Sequence, residues 1–412
     1  MDKGRGETER NYDVHGAVLI KIVGRGPVSD VIDRTLAFFK SSAKAPDLTL
    51  VLGEYPNREW KPNGALVGDR FLYDPKSGVT TVLSSRVTKR PERSEVEYVV
   101  VGDLRALGEP VTVYVPSVRT STTSGRLFTR EFKHGHLRRA LLAAAGNPFG
   151  MQLVVHQAER ITEAIIEPFL FYRLPAKGLS LVHSASVYSE GSATLFAGSA
   201  NVGKSTLALH FVKKKMAFLG DALVILTEGG EVLPYPGLVK LHAGHLAAFP
   251  ELAVRLTAEM GPVGAHLLRR ELAAFPDETL GLLPQRQMVE LFQDVTIPSR
   301  CEAGNVVLVR RGSFTESICE EIHPELLADA LGVELYWGIE AASWRNGQFV
   351  YSPSAAAGRD FFQEAAAQHE KVGEILLRGI SKAKCFIVTL PMEASVQQIE
   401  DLLPKILGSK KA

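Results

Sequence analysis

Residues Gly198-Ser199-Ala200-Asn201-Val202-Gly203-Lys204-Ser205 match the G-x-x-x-x-G-K-[ST] pattern of a phosphate-binding loop, or P-loop, known as the Walker A motif. The run Ala193–Ala197 before the loop is apolar and β-prone, and residues 207–212 after it place apolar side chains at helical spacing. The two glycines permit backbone angles that point successive N–H groups at a phosphate, and the helix adds the positive end of its dipole. The sequence therefore predicts a strand–loop–helix unit that binds a nucleotide.

The motif assigns a role to the polar positions of the loop. Lys204 is expected to reach the β- and γ-phosphates, and the hydroxyl of Ser205 is expected to ligate Mg²⁺. The alternative is a chance glycine-rich loop, but the strand before it and the helix after it favour a nucleotide site. The predicted nucleotide-binding residues are Gly198, Ser199, Ala200, Asn201, Val202, Gly203, Lys204, Ser205 and Thr206.

The composition limits the compartment and the partners. The 412 residues suggest two or three domains, and the net charge of +1 gives no reason to expect nucleic acid or a membrane as a partner. Cys301, Cys319 and Cys385 lie far apart without C-x-x-C spacing, which favours a reducing compartment over a disulfide framework or a zinc site. The segment Met1–Arg10 is charged, unlike a signal peptide, and no apolar run is long enough to cross a bilayer. We therefore expect a cytoplasmic protein.

The first 176 residues alternate predicted strands and helices but contain no recognisable catalytic motif. Ser29 is expected to cap the first helix. The segment 119–135 begins rich in Ser, Thr and Gly and then becomes basic, so it is either a basic loop near a phosphate or an ordinary solvated connection. Strands are predicted at 18–23, 48–52, 65–73, 79–84, 96–101 and 111–115, and helices at 29–40, 136–145 and 157–172.

Two strands stand so close together before the phosphate loop that they must pair. Residues 179–188 and 193–197 are β-prone and flank the turn Ser189-Glu190-Gly191-Ser192, so they are predicted to be antiparallel neighbours. After the loop helix, the apolar strand 216–221 ends in Asp221. This is the Walker B arrangement, which brings a carboxylate to Mg²⁺ or to a nucleophile.

The remainder of the chain combines predicted strands, beginning with 223–226, and predicted helical segments. A buried strand at 306–311 ends in Arg310 and Arg311, either of which could contact a phosphate or pair with a surface carboxylate. Helical segments are predicted at 246–274, 326–374 and 393–407, and a late strand at 385–390.

Several features lie close together in the segment 177–240: Val182-His183, the hairpin, the loop through Leu209, Phe218-Leu219-Gly220-Asp221 and Pro234-Tyr235-Pro236. With these features the segment resembles the HPr kinase/phosphorylase family and its wider HPr-kinase-like relatives, which share a core with phosphoenolpyruvate carboxykinase. The resemblance implies an α/β and α+β fold, with an HPr-kinase-like P-loop domain at 177–412 that contains a helical insertion at about 245–375. It leaves the N-terminal α+β domain, 1–176, without an assigned role.

The resemblance implies a kinase that uses ATP and Mg²⁺ to phosphorylate a hydroxyl of a small metabolite or of a protein serine. By position, Asp221 is the base on the acceptor hydroxyl, His183 is its partner, and Lys204 offsets charge on the phosphoryl oxygens. Ser205 and Asp221 would hold the metal. Two alternatives stay open, namely that Asp221 binds Mg²⁺ through water without acting as a base, and that His183 is only a polar residue on a half-buried strand. Members of the family often assemble, which leaves a homo-oligomer open here.

Two departures from the family pattern limit the functional prediction. The family usually has two adjacent aspartates, and Ala222 stands at the second place. HPr kinase also has a Glu-Ile-Arg-Gly-type signature downstream, and nothing like it follows Tyr235, which argues against the HPr protein as the substrate. A nucleotide-binding regulatory protein with weak or no phosphotransfer is therefore the second hypothesis. A carboxykinase is a third, disfavoured because no oxaloacetate or Mn²⁺ set of residues is recognisable.

Overall fold

A computed structural model gives the fold of most of the chain. The predicted basic segment 119–135 and the predicted helix 136–145 lie outside the described residues. The chain divides into two compact units, the first comprising Met1–Phe169, Thr257–Arg269 and Trp344–Gln363 and the second Leu170–Leu256, Arg270–Ser343 and Glu364–Ala412. The structure describes residues 8–53, 65–67, 71–74, 76–83, 96–102, 109–116, 157–235, 238–254, 266, 279–284, 297–335, 360–394, 398 and 401–407.

The first unit contains a nine-stranded sheet with the strand order β3-β1-β2-β4-β9-β8-β7-β6-β5. The pairs β2–β4 and β4–β9 are parallel, whereas the other pairs are antiparallel. The elements are β1 (Glu9–Val14), β2 (Val18–Gly24), α1 (Pro27–Thr35), β3 (Lys40–Ser41), β4 (Leu48–Gly53), β5 (Ala65–Val67), β6 (Phe71–Asp74), β7 (Val79–Leu83), β8 (Val96–Val101) and β9 (Val111–Pro116).

Two predictions for this unit need correction. The strand expected at 65–73 is a pair of antiparallel strands, β5 and β6, because the chain reverses between them. The helix expected at 29–40 begins at Pro27 and ends at Thr35, and a short 3₁₀ turn, Ala37–Phe39, follows it. Ser29 does not cap this helix, because its hydroxyl donates to the carbonyl oxygen of Gly24 at 3.3 Å from within the first turn.

The second unit contains the phosphate loop. Two helices, Glu167–Arg173 and Phe361–Ile380, each contain a boundary between the two units along the chain. The elements are α2 (Glu167–Arg173), β10 (Leu179–Ser189), β11 (Ser192–Ala197), α3 (Lys204–Lys213), β12 (Ala217–Gly220), β13 (Leu223–Thr227), β14 (Glu231–Leu233), β15 (Leu238–His242), α4 (Ala243–Ala248), β16 (Thr279–Pro284), β17 (Cys301–Gly312), β18 (Ile318–Glu321), α5 (Pro324–Leu335), α6 (Phe361–Ile380), β19 (Lys384–Pro391) and α7 (Leu403–Leu407).

Five strands of this unit form a closed ring of pairings. Strand β10 pairs with β11 on one edge and with β13 on the other, and β13 is followed in the ring by β14 and β17. Strand β17 closes the ring by pairing in parallel with β11. The predicted antiparallel pairing of 179–188 with 193–197 is confirmed, with Ser184 opposite Ala197 and Ser189 opposite Ser192.

The parallel pairs determine which residues lie near the phosphate loop. Strands β11, β17 and β19 run in the same direction, so their carboxyl ends lie at one edge of the sheet. The phosphate loop follows β11 at this edge, and Arg311 lies at the end of β17. Long-range pairing therefore brings residues from the last third of the chain to the loop.

The core of the second unit holds the loop helix in place. Leu207, Phe211 and Val212 of α3 are buried against Phe196 of β11 and side chains of β17, β19 and α7. The ring centroids of Phe196 and Phe211 are 5.2 Å apart. Burial of each such side chain stabilises the fold by about 2 kcal/mol, so the amino end of α3 is fixed beside the loop by packing.

The prediction of a helical insertion at about 245–375 is wrong in part. Residues 279–284 form β16, which pairs antiparallel with β15, and β18 belongs to the large sheet, whereas β17 contains the strand predicted at 306–311. The helices that the structure describes in this segment are α4, α5 and the beginning of α6, together with a helical turn at 250–254. Within the closing helix expected at 393–407, residues 393–394 are not helical, residue 398 is helical, and α7 begins at Leu403 after a turn at 401–402.

The described chain is a mixed α/β protein with two large mixed sheets, which confirms the fold class at that level. The domain boundary after residue 176 stays a prediction. The division of the chain into two compact units does not establish that residues 1–176 or 177–412 fold independently. None of the described helices is both long enough and apolar enough to cross a lipid bilayer. The three cysteines are all free thiols, as their spacing predicts.

Candidate functional site

The phosphate loop connects β11 to α3 and depends on two glycines. Gly198 has φ 135°, and a Cβ atom there would lie 2.4 Å from the carbonyl oxygen of Val309 on β17. Gly203 has φ 101° and is the residue before the first helical position of α3. Residues with a side chain rarely adopt these φ angles. Glycine at 198 therefore lets the loop pass close to β17, and glycine at 203 lets it turn directly into the helix. The predicted strand–loop–helix unit is confirmed as a backbone arrangement.

Lys204 is the first residue of α3 and is only 8% exposed. Its Nζ donates to the carbonyl oxygens of Gly198 at 2.6 Å and Ser199 at 2.9 Å, so the ammonium group lies inside the curve of the loop. Burial lowers the pKa of Lys204, and the nearby charges of Glu334 and Asp221 oppose that shift. The loop therefore encloses a positive charge at the amino end of a helix, the electrostatic arrangement that binds phosphate.

Ser205 and Asp221 are in direct contact. Ser205 Oγ donates to Asp221 Oδ1 at 2.6 Å, across 16 residues of sequence. Asp221 follows β12 and is 8% exposed. The structure thus brings together the two residues that the sequence predicts as metal ligands, with a carboxylate and a hydroxyl oxygen side by side.

A break between two strands sets the position of Asp221. Strand β10 pairs with β12 at Ser186–Tyr188 and with β13 at Leu179–His183, so Asp221 and Ala222 fill the gap between these pairings. Ala222 has φ 71°, a left-handed conformation that aspartate and asparagine adopt more readily than alanine. Its carbonyl oxygen accepts a hydrogen bond of 3.0 Å from the N–H of Ser184. The backbone at position 222 is therefore suited to an aspartate, although alanine occupies it.

His183 lies on β10, half-buried and directly opposite Leu223. Leu223 is two residues after Asp221, so His183 pairs with the first residue of β13, next to the break between β12 and β13. The role of His183 as the partner of Asp221 stays a prediction.

The remaining loop residues differ in exposure. Ser199, Ala200 and Asn201 are exposed, whereas Val202 and Thr206 are half-buried. Asn201 has φ 64°, which asparagine tolerates better than most residues. The exposed part of the loop is thus the stretch before Gly203, where backbone N–H groups can meet a ligand from solvent.

Arg311 is the second positive charge at the loop. Its Nη2 lies 3.3 Å from the point that a Cβ atom of Gly203 would occupy, and its Nη1 donates to the carbonyl oxygen of Met392 at 3.2 Å. Its buried Nε has no hydrogen-bond partner, and no carboxylate within the described part of the chain pairs with the guanidinium. Burial lowers the pKa of Arg311. Of the two arginines weighed from the sequence, Arg311 is therefore the one at the loop, while Arg310 is exposed.

Glu334 is a loop contact that sequence reasoning missed. It lies in the last turn of α5, and its Oε1 accepts a hydrogen bond of 2.8 Å from Ser199 Oγ. The two residues are 135 positions apart. The helix dipole does not favour an acidic residue near the carboxyl end of a helix. The presence of one is therefore a weak sequence signal that a tertiary contact stabilises its charge.

The donor set at the loop fits Mg²⁺. Mg²⁺ prefers oxygen ligands and is commonly held by one or two protein groups together with substrate phosphates and water. The adjacent oxygens of Ser205 and Asp221 supply such a pair. No group of three or more His, Cys, Asp or Glu side chains that could hold a metal occurs among the residues that the structure describes. A cation shared with a nucleotide does not need such a group.

Comparison with known proteins adds no assignment to this geometry. The chain matches none of the protein-family models, and no curated protein is similar enough in sequence to be matched to it.

Proposed function

We propose that the chain is an ATP-dependent, Mg²⁺-requiring phosphotransferase that acts on a hydroxyl acceptor. The observation that carries the proposal is the contact of Ser205 with Asp221 at the amino end of α3, beside the buried ammonium group of Lys204. A phosphate-binding backbone, a cation, a hydroxyl and a carboxylate are the groups that phosphoryl transfer requires. The acceptor is a small metabolite or a serine of another protein.

Each group of the site has a role in this reaction. The loop N–H groups and the amino end of α3 bind the polyphosphate, and Lys204 exchanges its contacts with loop carbonyls for contacts with phosphate oxygens. Asp221 accepts the proton of the acceptor hydroxyl as its oxygen bonds to the γ-phosphorus, while the bond to the β–γ bridging oxygen breaks and ADP leaves. Ser205 and Asp221 would hold Mg²⁺, which would supply positive charge to offset the negative charge of the phosphoryl oxygens.

The assignment of the chain to the HPr-kinase-like group is part of this proposal. The hairpin β10–β11, the loop and Asp221 after β12 stand in the order that the resemblance implies. Ala222 supports a second candidate, a nucleotide-binding regulatory protein with weak or no phosphotransfer. Its backbone is in the conformation that suits an aspartate, yet the side chain brings no second carboxylate to the site.

A transfer assay separates the two candidates. The purified chain is incubated with γ-labelled ATP, Mg²⁺ and either a panel of hydroxyl-bearing metabolites or a cell extract. The phosphotransferase proposal requires that label moves to an acceptor. Tight ATP binding without label on any acceptor, accompanied by a change of conformation or assembly, would instead support the regulatory protein. A chain that binds no ATP contradicts both candidates.

Replacing Arg311 should affect ATP affinity and the stability of the ligand-free chain differently. We expect Arg311→Gln to weaken ATP binding about tenfold, because one charge-assisted contact to phosphate contributes about 1.5 kcal/mol. The free energy of unfolding of the ligand-free chain should stay the same or rise, because the guanidinium is half-buried without an anionic partner in the described residues. Isothermal titration with ATP and urea unfolding measure the two quantities.

Arg310→Gln is the matched control, since it removes the same charge from the exposed neighbouring position. It should change neither quantity. If Arg311→Gln destabilises the chain and leaves ATP affinity unchanged, Arg311 supports the fold and not the ligand.

A further inference from the structure

Glu334 contacts the exposed part of the phosphate loop. Its carboxylate accepts the hydrogen bond from Ser199, an exposed residue of the loop. Burial is the main influence on the pKa of Lys204 and lowers it, but among the charges that raise it Glu334 has a larger effect than Asp221. A negative charge of the protein itself is therefore already present at the cation that would bind phosphate.

The position of Glu334 is imposed by packing. Leu331 and Leu335, three residues before and one after it, are 2% and 1% exposed, and α5 packs against β10, β17 and β19. The last turn of α5 contains no basic residue. A carboxylate at this end of a helix faces the negative end of the dipole, so the helix itself does not stabilise the charge. Among the described residues, the phosphate loop supplies the hydrogen bond that the carboxylate accepts.

We propose that Glu334 is an internal competitor of the phosphate ligand, holding the ligand-free loop through Ser199 until a bound polyphosphate displaces it. The inference rests on the proposed nucleotide binding and adds a selectivity to it. A free polyphosphate carries its full negative charge and is repelled by the carboxylate. In a Mg²⁺ complex part of that charge is neutralised, so the repulsion is weaker. Glu334 therefore favours Mg²⁺-complexed nucleotides over free inorganic anions.

The test compares the wild-type chain with Glu334→Gln, which keeps the size of the side chain and removes its charge. Inorganic triphosphate without Mg²⁺ and ATP with Mg²⁺ are titrated at low ionic strength. We expect Glu334→Gln to bind free triphosphate about tenfold tighter and Mg²⁺–ATP only about twofold tighter, with both gains reduced at high salt. Asp329→Asn is the matched control, because it removes a charge from an exposed position of the same helix and should change neither affinity.

A second readout needs no ligand. If the carboxylate holds the loop, the backbone N–H groups of residues 199–203 should exchange with deuterium several-fold faster in Glu334→Ala than in wild type, because alanine removes the acceptor of the Ser199 hydrogen bond. Equal triphosphate affinities of wild type and Glu334→Gln, or unchanged exchange, overturn the inference and leave the proposed function in place. Failure of both chains to bind either triphosphate or ATP overturns the inference and the proposed function together.

Discussion

Replacing Lys204 with methionine should weaken ATP binding about 100-fold and abolish measurable phosphotransfer. The ammonium group lies inside the curve of the loop, where it donates two hydrogen bonds to carbonyl oxygens that a phosphate can replace as acceptors. Two charge-assisted hydrogen bonds of about 1.5 kcal/mol each give about 3 kcal/mol, which corresponds to about 100-fold in affinity. Titration calorimetry with ATP measures this loss directly.

The same substitution should leave the ligand-free chain folded. Methionine is close to lysine in length, and it removes an ammonium group whose burial is unfavourable, as its lowered pKa indicates. The loss of two hydrogen bonds to the loop opposes that gain, so we expect the free energy of unfolding to change by less than about 1 kcal/mol. The increase in Tm that ATP produces in the wild-type chain should disappear in the variant.

Lys214→Met is the matched control for this prediction. Lys214 is exposed just after the end of α3, so its replacement removes the same charge from the opposite end of the helix without touching the loop. It should leave ATP affinity and phosphotransfer unchanged. Equal losses in both variants would mean that the net charge of the region, and not the loop ammonium, governs binding.

The parts of the site that the sequence predicts are those built from neighbours along the chain. The strand, the loop and the helix at 193–213 are contiguous, and the hairpin before them needs only a four-residue turn, so local periodicity and glycine chemistry suffice. The strand that ends in Asp221 is also local, and the contact with Ser205 spans only 16 residues. These contacts are encoded within one short segment.

The parts that the sequence does not predict depend on long-range pairing. The register of β11 against β17 places Ala197 opposite Leu308, and only this pairing distinguishes Arg311, at the loop, from the exposed Arg310. Glu334 reaches Ser199 because α5 packs across several strands of the sheet, and no periodicity around residue 334 indicates such a contact. Side chains that meet through tertiary packing leave no local pattern in the sequence.

Two of the incorrect secondary-structure predictions could have been avoided, because the sequence contains local turn and helix-start signals at those positions. Gly68 and Asp69 separate β5 from β6, and such a pair is a common turn signal within an apparent single strand. Pro27 after Gly26 marks the first turn of α1 better than Ser29 does, because proline is favoured at the first helical position. The short apolar run of β16 carried no comparable signal, since such a run is compatible with a buried strand or a buried helix.

Asp221→Asn should slow phosphotransfer about 1,000-fold while leaving ATP bound. The asparagine keeps the size of the side chain and can still accept the hydrogen bond from Ser205, but it cannot take a proton from the acceptor. General-base catalysis of this kind contributes about 100- to 10,000-fold. In the absence of Mg²⁺, ATP should bind the variant at least as tightly as wild type, because a negative charge near the phosphates has been removed. Single-turnover transfer from γ-labelled ATP and equilibrium binding give the two results.

The dependence on Mg²⁺ distinguishes the two roles of Asp221. If the carboxylate acts as the base, the deficit of Asp221→Asn persists at every Mg²⁺ concentration, because no added cation replaces the proton acceptor. If the carboxylate acts only as a metal ligand, directly or through water, Asp221→Asn needs a higher Mg²⁺ concentration for activity. Its transfer rate then recovers towards that of wild type as Mg²⁺ is added. Glu190→Gln, in the exposed turn of the β10–β11 hairpin, controls for the change of charge. Wild-type transfer by Asp221→Asn at low Mg²⁺ would remove Asp221 from the mechanism, since neither role survives that result.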